Sequence, residues 1–109
     1  MALRGHKGVW LPMTMPTLSG VLEAAVYVDD LDAAESFYSG TLGLERITRV
    51  EGRHVFFRCG NTVVLAFIAE ATAQPLGPDA LPVPTHGARG PGHICFAVRG
   101  NALDSLVQR

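Results

Sequence analysis

Glu23 and His93 are the two side chains whose surroundings best suit them for site chemistry. Glu23 opens the run Glu23-Ala24-Ala25-Val26-Tyr27-Val28, and His93 opens His93-Ile94-Cys95-Phe96-Ala97-Val98. Both runs are short and apolar, and each reads as a strand. Period-two alternation puts Glu23, Ala25 and Tyr27 on one side of the first, and His93, Cys95 and Ala97 on one side of the second. The opposite, bulkier sides belong against helices. Each remaining side joins one potential ligand to small residues, as a concave site requires. A lone buried carboxylate is costly unless paired or metal-bound. Glu23 is therefore either a liganding group or an exposed strand-end carboxylate, and His93 either a ligand or a strand-edge imidazole bonded to the adjoining loop.

Tyr27, on the same side as Glu23, is a candidate substrate contact or a half-buried core aromatic. His54 and Arg58 share one side of a later strand, where they could meet a substrate or simply face solvent. His86 and Arg89, in a Pro/Gly-rich stretch, could fold over a pocket or remain solvated. Phe37 and Tyr38 fall at helical spacing and read as core. The sequence contains no glycine-rich phosphate loop, nucleophile elbow or zinc-type Cys/His cluster.

The elements that would position these residues start at Val21. Val21 to Val28 is the first strand, and Asp30 is a suitable N-cap for a helix over Leu31 to Leu42. Leu31, Ala34, Phe37, Tyr38 and Leu42 form its apolar face, and Gly43 is its left-handed stop. Three strands follow: Leu44 to Val50, His54 to Cys59 and Thr62 to Ile68. They are joined by turns at Glu51-Gly52 and Gly60-Asn61. Thr62 to Ile68 is almost wholly apolar, which predicts a central strand covered on both faces. The order β, α, β, β, β indicates an α+β unit with its helix on one sheet face. Residues 70–92, with five prolines, read as a linker without regular structure. His93 to Val98 is then a new strand, followed by a helix capped by Asn101. The expected organisation is a loosely ordered tail over 1–20, a first module over 21–69, the linker over 70–92, and the start of a second module over 93–109.

Bulk properties narrow the classes. The 109 residues are 48% hydrophobic and 17% charged, with a formal net charge of −1, which describes one core-forming domain. Lys7 is the only lysine, and no basic run offers a footprint for nucleic acid or an anionic membrane. No apolar run approaches the roughly 20 residues that span a bilayer. Cys59 and Cys95 both lie in apolar strand-like runs and read as buried thiols in a reducing cytoplasm.

The two strand-then-helix starts repeat at an offset of 70 residues, Glu23 lying over His93. The likeness is one of pattern, since Val28 and Val98 are the one identical pair within these runs. Only 17 residues remain from His93 onward, too few for a second full unit.

The stretch Leu22 to Leu31, then Phe37-Tyr38, Leu42-Gly43-Leu44 and Gly92-His93-Ile94-Cys95-Phe96-Ala97-Val98, resembles the vicinal-oxygen-chelate superfamily of glyoxalases, bleomycin-resistance proteins and extradiol dioxygenases. The resemblance runs from Val21 to Arg109. It implies paired βαβββ modules cupped around a small-molecule pocket, here one module plus the β-α start of a second, with a divalent metal (iron, manganese, zinc or nickel) often at the pocket floor. It places metal ligands at Glu23 and His93. The fourth-strand ligand position used by some members falls at Leu65 or Ala66, neither of which binds metal, and the eighth-strand carboxylate lies beyond this sequence.

Two functional readings follow from the resemblance. One is a metal-dependent lyase, isomerase or ring-cleaving dioxygenase, whose metal chelates neighbouring substrate oxygens as a Lewis acid. The other is a metal-free ligand-sequestering protein, with an inactive fragment as a third possibility. Glu23 with His93 favours the enzyme; Leu65 and Ala66 favour the binder. The unpaired strands of a shortened second module also imply a homodimer in which one copy completes the other.

Overall fold

The computed structural model describes Ala2–Arg4, Trp10–Pro12 and residues 16–107. Two short strands open the chain, β1 (Ala2–Arg4) and β2 (Trp10–Pro12), paired antiparallel. The expectation of a loosely ordered tail over 1–20 is corrected to that extent: β1 and β2 satisfy each other's backbone groups locally.

The main sheet contains β3 (Glu23–Tyr27), β4 (Glu45–Val50), β5 (His54–Cys59) and β6 (Thr62–Phe67), in the order β3-β6-β5-β4. β3 runs parallel to β6, and the other pairings are antiparallel. The expected βαβββ unit is thus present, with its last strand inserted beside its first. Gly52 (φ 74°) and Gly60 (φ 56°) supply the positive φ that the two hairpin turns need. Arg53 N–H donates to Val50 C=O across the first turn at 3.0 Å.

Helix α1 (Leu31–Glu35) begins where expected. The Asp30 carboxylate accepts from the backbone N–H of Asp32 and Ala33 at 2.8 and 3.2 Å. A single α-helix to Leu42 does not form; Ser36–Thr41 is a π-helical turn. Leu42 N–H reaches the Phe37 carbonyl at 2.9 Å, and Gly43 (φ 77°) stops the turn. Ser36, Ser39 and Gly40 are weak helix formers, and the Ser39 hydroxyl donates to the Leu44 carbonyl at 2.7 Å, drawing the chain into the wider turn. The widening separates two residues read together as core. Tyr38 is buried at 8% exposure, while Phe37 is 49% exposed and only packs its edge on Tyr38.

The core lies between this helical segment and one face of the sheet: Leu31, Ala34 and Tyr38 against Val55, Phe57, Val64 and Ala66. Arg49 ties the helix to β4, bonding Asp32 at 2.7 Å and Glu35 at 3.2 Å as well as Glu51 at 2.7 Å. Arg49, then Arg46, hold the Glu35 carboxyl below its ordinary pKa against the opposing effect of desolvation.

Three further expectations are corrected. A helical turn, α2 (Ala69–Thr72), occupies the start of the stretch read as structureless. His93 to Val98 forms no strand, because it has no ladder partner among the described residues; Cys95 there is exposed rather than buried. The last helical segment is a 3₁₀ turn over Gly100–Ala102 leading into α3 (Leu103–Val107), so Arg99 rather than Asn101 is its cap residue. No described helix is long and apolar enough to cross a membrane.

The packing predicts two stability effects. Asp30→Ala removes the N-cap and should cost about 1 kcal/mol. Phe57→Ala opens a cavity in a fully buried position and should cost about 3–5 kcal/mol. Urea denaturation of both variants checks the ranking.

Candidate functional site

Because Val55, Phe57, Val64 and Ala66 face the helix, the register sends their neighbours to the other side of the sheet. Glu23 pairs with Val63, Val63 with Arg58, and Arg58 with Glu45, which makes one charged row. Ala25, Leu65, Phe56 and Thr48 form the next row, and Tyr27, Phe67, His54 and Val50 the third. The structure therefore brings Glu23, Tyr27, His54 and Arg58 onto one helix-free face, with the charged candidates at one end and the aromatic ones at the other.

Rings gather at the aromatic end. His54 stacks on Phe56 with centroids 4.1 Å apart, and Phe67 meets His86, His54 and Tyr27 at 4.5, 5.9 and 6.2 Å. His86 arrives from the Pro/Gly-rich strap. Its backbone N–H donates to the Thr72 carbonyl at 3.0 Å, and its Nδ1 lies 2.8 Å from the Tyr27 hydroxyl in a hydrogen bond. Arg89 of the same strap pairs with Glu70 at the start of α2. Gly87 approaches so closely that a Cβ there would sit 3.3 Å from the Ala69 carbonyl oxygen. These contacts fix the strap against the sheet end, where His86 is half-buried while Arg89 stays largely solvated within its ion pair.

Beyond the strap the chain turns past the outer edge of β3. Leu22 C=O and Val28 N–H are spent on β6, so the alternation of a parallel ladder aims the N–H and C=O of Ala25 and Tyr27 at the open edge. A cavity of about 770 Å³ lies there, lined by Ala25, Tyr27, Asp29 and Tyr38 on one wall and by Arg89 and His93 on the other. His93 and Tyr27 thus share a cavity, while Glu23 is exposed on β3 and does not line it. His54 and Arg58 lie on the same sheet face but outside the cavity wall. Among the described residues no three His, Cys, Asp or Glu side chains converge on a metal position. Sequence reasoning missed the part played by Asp29 and Phe67; strand pairing, which joins Phe67 to both Tyr27 and His54, was the signal needed.

His54 is half-buried with its Nδ1 wholly covered and unpartnered. Burial, and then the positive charge of Arg53, push its pKa below the ordinary 6.5. A lowered folded-state value means that His54 contributes stability above the unfolded pKa, and that this is lost as pH falls through the folded one. Stability should therefore decline on acidification below about pH 6.5, and less steeply in His54→Phe. Urea midpoints from pH 7.5 to pH 5 test this, and an NMR titration midpoint for His54 at or above the ordinary value would contradict it.

The sequence matches the Glyoxalase/Bleomycin resistance protein/Dioxygenase superfamily over residues 20–108. Its fold is similar to the crystal structure of a lactoylglutathione lyase from Agrobacterium tumefaciens, with 38% identity and a TM-score of 0.76, covering 85% of this chain and 69% of that one. Two more distant structures share the fold. An integron cassette protein from the mobile metagenome of the Halifax Harbour sewage outfall has 19% identity and a TM-score of 0.59, covering 84% and 67% of the respective chains. A glyoxalase/bleomycin resistance protein/dioxygenase from Alicyclobacillus acidocaldarius has 19% identity and a TM-score of 0.51, covering 86% and 63%. No curated protein matches. With a βαβββ module of the expected order and a match over most of its length, the chain belongs to the glyoxalase/bleomycin resistance/dioxygenase superfamily.

Proposed function

We propose that this chain forms part of a small-molecule pocket and that it captures its ligand without a metal of its own. The observation that carries this reading is the middle of the helix-free face, where Leu65 lies between Ala25 and Phe56 in the pairing register. A metal floor needs carboxylate, imidazole or thiolate donors there, and this row supplies none, its one polar side chain being the Thr48 hydroxyl on β4. Glu23 lies one row away with Arg58 across Val63, so a cation competing for Glu23 would meet a guanidinium in the same row. His93 faces the cavity from the other wall. Glu23 and His93 are the donors that the resemblance would assign; without a third they do not make a site, and no reaction step is derived through a metal. Tyr27, which lines the cavity, is the side chain to which we assign ligand contact, with His54 and Arg58 meeting a ligand that extends from the cavity across the same sheet face.

A second reading rests on the 38% identity to a lactoylglutathione lyase. In it Glu23 and His93 would act with donors from other chain segments or from a second copy. Phe96 (37% exposed), Val98 (44%) and Val107 (75%) are the surfaces through which we infer that two copies associate.

Calorimetry with manganese, iron(II), zinc and nickel ions, on wild type, Glu23→Ala and His93→Ala, separates the two readings. Weak binding unchanged by either substitution is expected. Tight binding of one ion, abolished in both variants, would instead establish the lyase-like reading, and chelator-sensitive turnover of lactoylglutathione would add its substrate.

A further inference from the structure

The Tyr27–His86 hydrogen bond joins a strand to a strap 59 residues away. Tyr27 is half-buried and lines the cavity; His86 is half-buried and is absent from that lining. The imidazole is held by its own backbone bond to Thr72 and by a T-shaped contact with Phe67. In the Nε2–H form of the ring, Nδ1 accepts the phenolic proton. The Tyr27 oxygen then keeps its lone pairs for another donor.

The charges around the cavity favour the same polarity. Asp29 and Arg89 are the lining residues of fixed charge. Arg89 is already paired with Glu70, which lies outside the lining, whereas Asp29 is exposed and forms no ion pair among the described residues. The exposed edge of β3 adds the N–H and C=O groups of Ala25 and Tyr27, donors and acceptors in equal number, so the polarity is set by Asp29 and the Tyr27 oxygen. Ala25, Val26, Val28 and Ile94 add apolar surface to the cavity lining.

We propose that Tyr27 and His86 form a dyad that reads a hydrogen-bond donor on the ligand, and that the cavity takes a small molecule with a protonated amine on an apolar ring or chain. Tyr27 is the contacting residue. His86 is a positioning residue that commits the phenol to accept rather than donate. The inference rests on the pocket reading above and names the class of ligand that pocket selects.

Three probes that share a ring and differ in polarity test it: benzylamine, benzoate and toluene, each titrated into isotope-labelled protein and followed by NMR. Benzylamine should shift the Ala25, Tyr27 and His93 signals and bind more tightly than toluene or benzoate. Tyr27→Phe keeps the ring and removes the acceptor, so it should weaken benzylamine about tenfold or more and leave toluene unchanged. His86→Ala should weaken benzylamine as well, and His86→Asn, which returns an acceptor near the Nδ1 position, should restore much of the loss. Long-range proton–nitrogen spectra of His86 should show the Nε2–H form. Benzoate binding more tightly than benzylamine, a predominant Nδ1–H form, or a Tyr27→Phe variant with wild-type benzylamine affinity would each overturn the dyad. Equal binding of all three probes in the cavity would overturn it too while leaving the pocket reading intact. Shifts from none of them would overturn both.

Discussion

The burial of Val64 and Ala66 under Leu31, Ala34 and Tyr38 is the constraint from which the rest of the arrangement follows. Side chains alternate along a strand, so fixing these two against the helix sends Val63, Leu65 and Phe67 to the other face. β6 pairs on both sides, and its register then fixes what every neighbour shows there: Glu23, Ala25 and Tyr27 from β3, and Arg58, Phe56 and His54 from β5. A one-residue slip of β6 would bring Leu65 and Phe67 into the helix contact and put Ala66 among the aromatic rings. Packing on one face thereby sets the chemistry of the other.

The same logic explains which parts of the molecule were legible in its sequence. The strand at Thr62, the cap at Asp30 and the stop at Gly43 are local signals, each enforced by backbone sterics or by unpaired N–H groups, and each appears in the structure. Alternation alone put Glu23 beside Tyr27 and His54 beside Arg58, but that the two pairs share a face is set by the register of β6 with β3 and β5. What escaped were features settled by partners distant in sequence. The π-helical turn depends on how Ser39 meets Leu44. A strand at His93 needs a ladder, and alternating hydrophobicity cannot supply one. The position of His86 depends on Tyr27, 59 residues earlier. No pattern within a short window contains that pairing.

Electrostatics divides the molecule in a similar way. The dense ion pairs lie on the helix side, where Arg49 alone engages Asp32, Glu35 and Glu51. The Asp32 and Glu51 carboxylates are largely solvated and that of Glu35 is part-exposed, so each pair contributes modestly to stability. Their main consequence is orientation: they hold α1 across β4 and use up these charges away from the ligand face. On that face, charge is confined to the Glu23–Arg58–Glu45 row, and the opposite end is built from rings.

That separation bears on how a fold of this kind can alternate between metal chemistry and simple capture. A metal floor requires donors from several strands to converge at the middle of the sheet face, and each donor must be held there by its strand's register. In this chain the register is in place, but the middle row is Ala25, Leu65 and Phe56, so the scaffold aims apolar groups where donors would act. On the proposed metal-free reading, binding draws on burial of apolar surface and on a few polar groups at the rim, of which Tyr27 has a fixed partner in His86. The strap that carries His86 also carries Ala88 to Ile94 along the cavity. The contacts that close the strap on the sheet therefore shape the cavity and orient its polar group together, so that pocket shape and ligand polarity are properties of one set of interactions.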